Sequence, residues 1–310
     1  MAILVDYRSV ASASMMKGFG MGTINGSNPE QLTKKSNEIL LGKIRYYNSE
    51  FRDEFGELVL CNDSNSWRHK IFDHYKGQRR LARVNGMDKN PDDPMHAIYE
   101  SIHAFWDIIS ETGPYKCLRV RGAEGDDLLA AIAMTPGKHM VISADKDISQ
   151  LTRFPNVKYY DSIKKKIVDN GPKFWHQLVV RGDGGDGIPN ILSDDDTFMV
   201  KEKRQRQLRQ EVVDRIVDSG DPEAEIMSMK FSGIFSEQVV LNYRRNKRLI
   251  DLTQIPKGLR EIVVQEFNKE VPMRDMLNML VALKNPQYIG RLADFKPRRE
   301  VIDTSSIDIF

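Results

Sequence analysis

The sequence predicts an α/β fold, with a mostly parallel central sheet flanked by helices and a helical C-terminal domain beyond it. Three observations carry that reading. Short apolar runs alternate with stretches of helical period until about residue 170, after which the strand signal disappears. The runs are rich in Val, Ile and Leu, as strands buried on both faces must be. Nine acidic residues fall in five clusters, each where an apolar run has just ended or a helix is about to begin, and parallel strands bring such ends to one rim.

Residues 2 to 6 are a short first strand, and the Ser, Gly and Met-rich stretch from Ser9 to Asn28 reads as a mobile connection. From Pro29 to about Phe55, Leu32, Ile39, Lys43 and Tyr46 keep helical spacing, with Pro29 tolerated in the first turn. A second strand covers Glu57 to Cys61. Trp67 to about Arg83 is helical or partly so, Asn85 to Pro94 is a Pro, Gly and Asp-rich break, and Met95 to Thr112 is another amphipathic helix. A strand near Cys117 to Val120, a helix from Glu124 to Ala133 and a strand at His139 to Ser143 follow. This alternation calls for right-handed crossovers between parallel strands. Val157 to Tyr160 and Lys166 to Val168 make a hairpin at the sheet edge.

Beyond it, helices are expected at roughly 172–181, 199–218, 222–230, 235–247, 257–268 and 272–283, with breaks at Pro189, Gly220, Pro256 and Pro286. The chain therefore divides into an α/β core, residues 1–180, and a helical domain, residues 181–310. The tail from Arg298 to Phe310 reads as partly disordered.

With 310 residues, 40% hydrophobic and 29% charged, the composition is that of an ordinary globular protein. The net charge of only +2 hides separate acidic and basic stretches, so it does not exclude a nucleic-acid partner. Cys61 and Cys117 lie in predicted strands without metal-spaced partners and read as reduced core thiols of a cytoplasmic protein. No apolar stretch approaches the roughly 20 residues that span a bilayer. MAILVDYRSV lacks the basic start of a signal peptide, so neither membrane nor export is expected.

The acidic clusters are Asp6 after AILV, Asp63 after LVLCN, Glu124, Asp126 and Asp127 in RGAEGDDLLAA, Asp145 and Asp147 in VISADKD, and Asp183 and Asp186 in RGDGGDGIP. Any one of them is explained by helix capping or a solvated turn. All five on one rim are harder to explain so. Two unit charges about 4 Å apart repel by roughly 4 kcal/mol at an effective dielectric near 20, so this crowd needs raised pKa values or bound cations. All-oxygen donors suit a hard ion, Mg2+ first and Mn2+ next, and paired ions at such a rim cleave phosphodiesters.

Basic residues supply the second half of the case. Lys76, Arg79, Arg80 and Arg83 have the spacing of a single helical face, with Arg68, Lys70 and Tyr75 just before them as further nucleic-acid contacts. The run from Lys201 to Arg209 adds Lys201, Lys203, Arg204, Arg206 and Arg209, and RRNKR spans Arg244 to Arg248. Such runs follow a duplex backbone by charge without reading its sequence, or are solvated surface.

The ordered segments ILVD, CNDS, YKGQR, GAEGDDLLA, SADKDISQL and GDGGDGIP resemble the flap endonuclease and 5′ nuclease family. That resemblance implies a PIN-like core with a helical arch bordered by Asn85 to Pro94, and a duplex-binding helical domain with a helix three-turn helix element. It implies two Mg2+ ions, the first cluster being Asp6, Asp63, Glu124, Asp126, Asp127 and Asp145, the second Asp147, Asp183 and Asp186. Asp126 and Asp145 are then catalytic, with Lys76 and Arg79 polarising the scissile phosphate. The implied activity is 5′ to 3′ exonuclease, flap endonuclease and ribonuclease H cleavage that removes RNA primers in replication. Its substrates are DNA and RNA/DNA duplexes with 5′ ends or flaps, met by a monomer.

Two departures stand out. Gly125 replaces the family's usual Ala, and GDGIPN with no GIGxKTA after it marks a modified helix three-turn helix element whose potassium site is in doubt. The final SSIDIF resembles a peptide that inserts into a sliding clamp, the alternative being a packed or disordered tail. A single-strand-binding protein is the other candidate partner. Two different readings remain open: a structure-specific DNA-binding protein that has lost turnover, and a PIN-type single-strand ribonuclease.

Overall fold

The computed structural model of the chain describes residues 1–24, 29–84, 94–271 and 274–296. At its centre lies a six-stranded sheet in the order β3-β2-β1-β4-β5-β6. β1 (Ala2–Asp6), β2 (Glu57–Cys61), β3 (Lys116–Leu118), β4 (His139–Ser143) and β5 (Val157–Asp161) are parallel, and β6 (Lys166–Ile167) pairs antiparallel with β5. Asp6 stands opposite Cys61, Val5 opposite Ile142, and Ser143 opposite Asp161, so the strands end level and the acidic clusters leave from one edge.

Every residue of β1 is buried, and its alternation splits the core in two. Ile3 and Val5 face a cluster built by α1 (Tyr7–Ile24), α2 (Pro29–Phe55) and α4 (Pro94–Thr112), with Met15, Leu41, Tyr47 and Phe105 at its heart. Ala2 and Leu4 face α5 (Gly125–Ala133) and the 3-10 turns of Lys146–Arg153. α3 (Gly77–Val84) is short and rich in arginine. Each fully buried Leu or Ile contributes on the order of 2 kcal/mol, so this sandwich is what fixes the rim in place.

The third cluster gathers α6 (Phe174–Arg181), α7 (Gln210–Asp218), α8 (Pro222–Ser228) and α9 (Ser236–Ile250), into which Phe72 and Tyr75 reach from the core. The chain then returns. Val263 of α10 (Lys257–Asn268) joins the α5 cluster, while Met279 of α11 (Met276–Ala282) and Phe295 of α12 (Leu292–Phe295) pack against α2 and α4. Both halves of the sequence thus share the two sheet faces.

Three local expectations are corrected. Tyr7–Ile24 is a helix, where Ser9 to Asn28 was expected to be a mobile connection: Val10, Ala11, Met15 and Phe19 are buried, and that packing overrides the weak propensity of Ser and Gly. Gly18 lets α2 approach closely: a Cβ there would lie 2.5 Å from Ile39 Cδ1, so that side chain would have to turn aside. Trp67 to Arg83 is broken into a 3-10 turn at Trp67–Lys70 and α3, so Lys76 precedes the helix instead of sharing its face with Arg79, Arg80 and Arg83. Residues 201–209 lie in turn and extended backbone, not in a helix over 199–218. Asn85 to Asp93 and Arg298 to Phe310, with the SSIDIF peptide, lie outside the described residues, as does the side chain of Arg83.

Candidate active site at the carboxylate rim

Asp6 ends β1, and each of its oxygens is already oriented. Ser143 Oγ donates to Oδ2 at 2.6 Å and the Ser9 amide to Oδ1 at 3.2 Å. Asp63, two residues past β2, accepts the Gly125 amide at 2.7 Å, which ties it to the start of α5. Asp145, two residues past β4, caps the following 3-10 turn by accepting the Asp147 amide at 2.9 Å. These side chains, with Glu124, Asp126 and Asp186, line one cavity of about 280 Å3, and Lys76, Arg79 and Arg8 close its sides.

Asp126, Asp145 and Asp186 also face a second cleft, shared with Asp147 and Asp183. The loop that carries Asp183 and Asp186 is a tight hairpin: the Asp183 and Ile188 backbones pair at 2.8 and 2.7 Å, and Asp183 Oδ1 accepts the Gly185 amide at 2.8 Å. Gly187 adopts φ 74° with the His74 carbonyl 3.0 Å from where its Cβ would lie, so a side chain is excluded. The Lys76 amide donates to the Asp186 carbonyl at 2.7 Å, docking this loop onto the turn before α3.

Electrostatics divide the acids into two kinds. Burial, then the charges of Asp63 and Asp145, push the Asp6 carboxyl up to about 7 against the lowering effect of Ser143. Burial and its neighbours Asp6, Asp145 and Asp63 raise Asp126 well above the carboxylate range. Burial with Asp145 and Asp183 takes Asp147 to about 7, and burial with Asp186 raises Asp183. Glu124 goes the other way. Burial would raise it, but Lys76 and Arg68 hold it at about 2. Lys76 Nζ lies 2.5 Å from Glu124 Oε1 and 3.6 Å from Asp186, and these acids raise its pKa against burial. Arg79 reaches Asp186 Oδ1 at 3.2 Å.

This acid rim, with a lysine and an arginine at its mouth, now has a sequence counterpart. Residues 30–176 match the family model of the 5′-3′ exonuclease N-terminal, resolvase-like domain. Over most of its length the chain is similar to the ribonuclease H of Enterobacteria phage T4, 23% identical over 279 residues that cover 86% of this chain and 85% of the relative. It is also similar to the exonuclease of Escherichia phage T7, 26% identical over 175 residues, 53% of each chain. A flap endonuclease, Xni of Shewanella loihica, is 25% identical over 183 residues, 54% of this chain and 62% of the relative. The fold matches a bacteriophage T5 flap endonuclease solved with DNA and metal ions, with TM-score 0.59 and 13% identity over 94% of this chain and 99% of that one. A second T5 structure, co-crystallised with metal ions, gives TM-score 0.58 at 13% identity, covering 93% and 98%.

Three residues expected to touch ions or nucleic acid do other work in this fold. Asp127 is fully buried: Arg68 grips both its oxygens at 2.8 and 3.0 Å, Trp67 Nε1 donates at 3.2 Å and the Glu124 amide at 3.0 Å. No lone pair of it faces the cavity. Arg68 is itself buried, reaching Glu124 at 2.9 Å and the Leu249 carbonyl at 2.8 Å, so it joins α5 to α9 and is not a phosphate contact. Tyr75 is buried too, its single hydroxyl proton shared between Glu124 at 2.8 Å and Asp186 at 2.9 Å, and no base can reach its ring.

The basic runs are sorted in the same way. Lys70, Arg79 and Arg80 are exposed, as are Lys201, Arg204, Arg206 and Arg209 along the extended stretch. Lys203 is held by Asp194 at 2.8 Å and by Asp196. RRNKR is divided: Arg244 stays exposed and pairs with Glu223, while Arg245 and Asn246 turn inward and both donate to the Pro189 carbonyl, at 3.0 and 2.8 Å. That fixes the loop just after Asp186. Sequence reasoning missed Ser9, Ser143 and Tyr159, whose hydroxyl donates to the Asp145 carbonyl at 2.9 Å, and Arg8, 3.9 Å from Asp63. Only the position of Ser143, just before AD at a strand end, gave a signal.

Proposed function

We propose that the chain is a divalent-metal-dependent 5′ to 3′ exonuclease and flap endonuclease that removes RNA primers and adjacent DNA behind a replication fork. The observation that carries this reading is the two-lobed carboxylate site, in which Asp126, Asp145 and Asp186 face both lobes. Among the described residues no three acids stand preassembled around one ion position. The donor chemistry fits nonetheless: every candidate is a carboxylate, and Asp6, Asp126, Asp147 and Asp183 are raised by burial and then by their acidic neighbours, both of which a bound cation offsets. Asp6, Asp63, Glu124, Asp126 and Asp145 would hold one Mg2+ and Asp147, Asp183 and Asp186 the other, with Mn2+ as a substitute. Such paired ions supply an activated water and a counter-charge for the leaving oxygen.

The chain's own residues do the rest. Lys76 and Arg79 stand at the mouth, where a phosphodiester entering the cavity meets them before the acids, and their charge offsets that of the pentavalent phosphorus. The Tyr75 hydroxyl lies within hydrogen-bond reach of both Glu124 and Asp186 and shares its one proton between them, which ties the turn before α3 to the Asp183–Ile188 loop. Asp145 is oriented from behind by Ser143 and Tyr159, so its carboxylate needs little reorganisation. Arg204, Arg206 and Arg209, exposed in one extended stretch, would grip the duplex beyond the cut.

A 5′-labelled flap, or an RNA primer on DNA, incubated with and without Mg2+ tests this. Release of short 5′ products that needs Mg2+ and disappears in Asp145→Ala is the expected result. Tight binding without release would replace it by a DNA-binding role, and preference for single-stranded RNA by a PIN-type ribonuclease.

A further inference from the structure

Ser9 and Asp145 line two cavities at once. One is the active site, and the other is a neighbouring groove of about 470 Å3 walled by Lys146, Asp161, Ile163 and Lys164. We propose that this groove, which leads from the carboxylate rim along the β5–β6 hairpin, binds the phosphates of a single nucleic-acid strand continuing past the cleavage point. The inference rests on the nuclease reading above and adds a binding surface to it.

The hairpin tip is built before any ligand arrives. Asp161 is buried and its Oδ1 accepts the amides of Ile163 and Lys164, each at 2.9 Å, while its carbonyl accepts the Lys165 amide at 2.7 Å. Lys165 sits at φ 55°, a left-handed position that turns the chain sharply and presents Lys164, Lys165 and Lys166 together. Lys17 of α1 and Lys43 of α2 approach from the other side: after burial, the charges of Lys165 and Lys17 are what lower the Lys43 pKa.

Lysines drawn from three separate elements, most of them without a paired acid, make a surface for a polyanion, although Asp145 and Asp161 also line the groove. Lys158 on the same hairpin pairs with Glu54 at 2.8 Å, and Lys164 pairs with Asp161 at 3.3 Å. Lys17, Lys43, Lys146 and Lys165 have no ion pair among the described residues. Ile163, 56% exposed at the groove wall, offers an apolar contact for a base. The exposed arginines of residues 201–209 lie with the third cluster, which already has the duplex as its ligand in the proposed reading. A strand leaving the rim past Ser9 and Asp145 enters the groove beside Lys146 and Lys164.

The test uses the full chain and its Lys164→Gln/Lys165→Asn variant, Asn being tolerant of the left-handed position. Binding of flapped duplexes with a one-nucleotide or a long 5′ arm is followed by anisotropy in Ca2+ across a salt series, and cleavage of both is followed in Mg2+. For the long arm, affinity should fall about tenfold and the salt slope by about 1.4, two phosphate contacts at roughly 0.7 each. The short arm should bind and be cut as by the parent protein. An unchanged slope, an equal loss for both arms, or a loss seen only with an upstream duplex would overturn the proposal. Lys17→Gln, on a different element, must show the same dependence on arm length, and it decides alone if the hairpin variant fails to fold. If the parent protein cuts neither flap, it is the nuclease reading that fails. If it cuts both and the variants show no dependence on arm length, only this inference does.

Discussion

Arg68→Met separates an internal ion pair from a phosphate contact. Arg68 is 3% exposed, makes two hydrogen bonds to Asp127 and one to Glu124, and stacks 4.8 Å above Trp67. Methionine keeps most of the volume but leaves Asp127 buried without a cation, while Glu124 keeps Lys76. Breaking one side of a buried ion pair costs roughly 3 to 5 kcal/mol, since the partner's charge stays without compensation. At about 2 to 4 °C per kcal/mol for a chain of this size, the thermal midpoint should fall by about 10 °C. Unfolding followed by circular dichroism measures it, and Trp67 fluorescence reports the local change. Asp127→Asn added to Arg68→Met removes the stranded charge and should recover part of the loss, which a double-mutant cycle quantifies. A midpoint that does not move, together with weaker flap binding and a salt slope smaller by about 1, would refute this assignment and restore Arg68 as a phosphate ligand.

The acid rim makes the metal-free protein sensitive to pH. Asp6 and Asp147 titrate near 7 in the folded chain but near 3.9 when unfolded, so the folded state holds more protons between those values and stability falls as pH rises through the window. Glu124, held at about 2, works oppositely, and its contribution disappears only as pH falls from about 4 toward 2. After chelation, the thermal midpoint should therefore be higher at pH 5 than at pH 8, and millimolar Mg2+ should remove the difference; a midpoint flat in pH without metal would contradict the crowding. Lys76→Met should lower single-turnover cleavage by about a hundredfold or more while flap affinity changes little, the pattern of a charge that acts on the transition state. Asn246→Ala removes the donor to the Pro189 and Val179 carbonyls and should destabilise the chain by about 1 to 3 kcal/mol, with a loss of cleavage if the Asp183–Ile188 loop shifts.

The sheet was legible because its strands are buried on both faces and therefore near-continuous in Val, Ile and Leu, as AILV and HMVIS show. Their shared C-terminal edge followed from the crossover rule, and with it the gathering of Asp6, Asp63, Asp126 and Asp145. What the pattern could not reveal was partner choice. Asp126 and Asp127 are adjacent in sequence, yet a helix turns neighbours about 100° apart, and one faces the cavity while the other faces Arg68. Charge alone made Arg68 and Arg245 look like surface, whereas Asp127 and the Pro189 carbonyl hold them. Tyr7–Ile24 was hidden by its Ser and Gly content, since its helix depends on contacts with α2 and α4 that no local window contains. The extended backbone at 201–209 was hidden in the reverse way, by residues of good helix propensity in a stretch with little to bury.

The most direct measurement is anomalous diffraction from Mn2+-soaked crystals of the chain with nicked DNA. Two peaks roughly 3.5 to 4 Å apart are expected, one beside Asp6, Asp63 and Asp126 and one beside Asp147, Asp183 and Asp186, with a phosphate between them and Lys76. A DNA-bound crystal with no peak at the rim, or with a single peak on the far side of Asp147, would contradict the account.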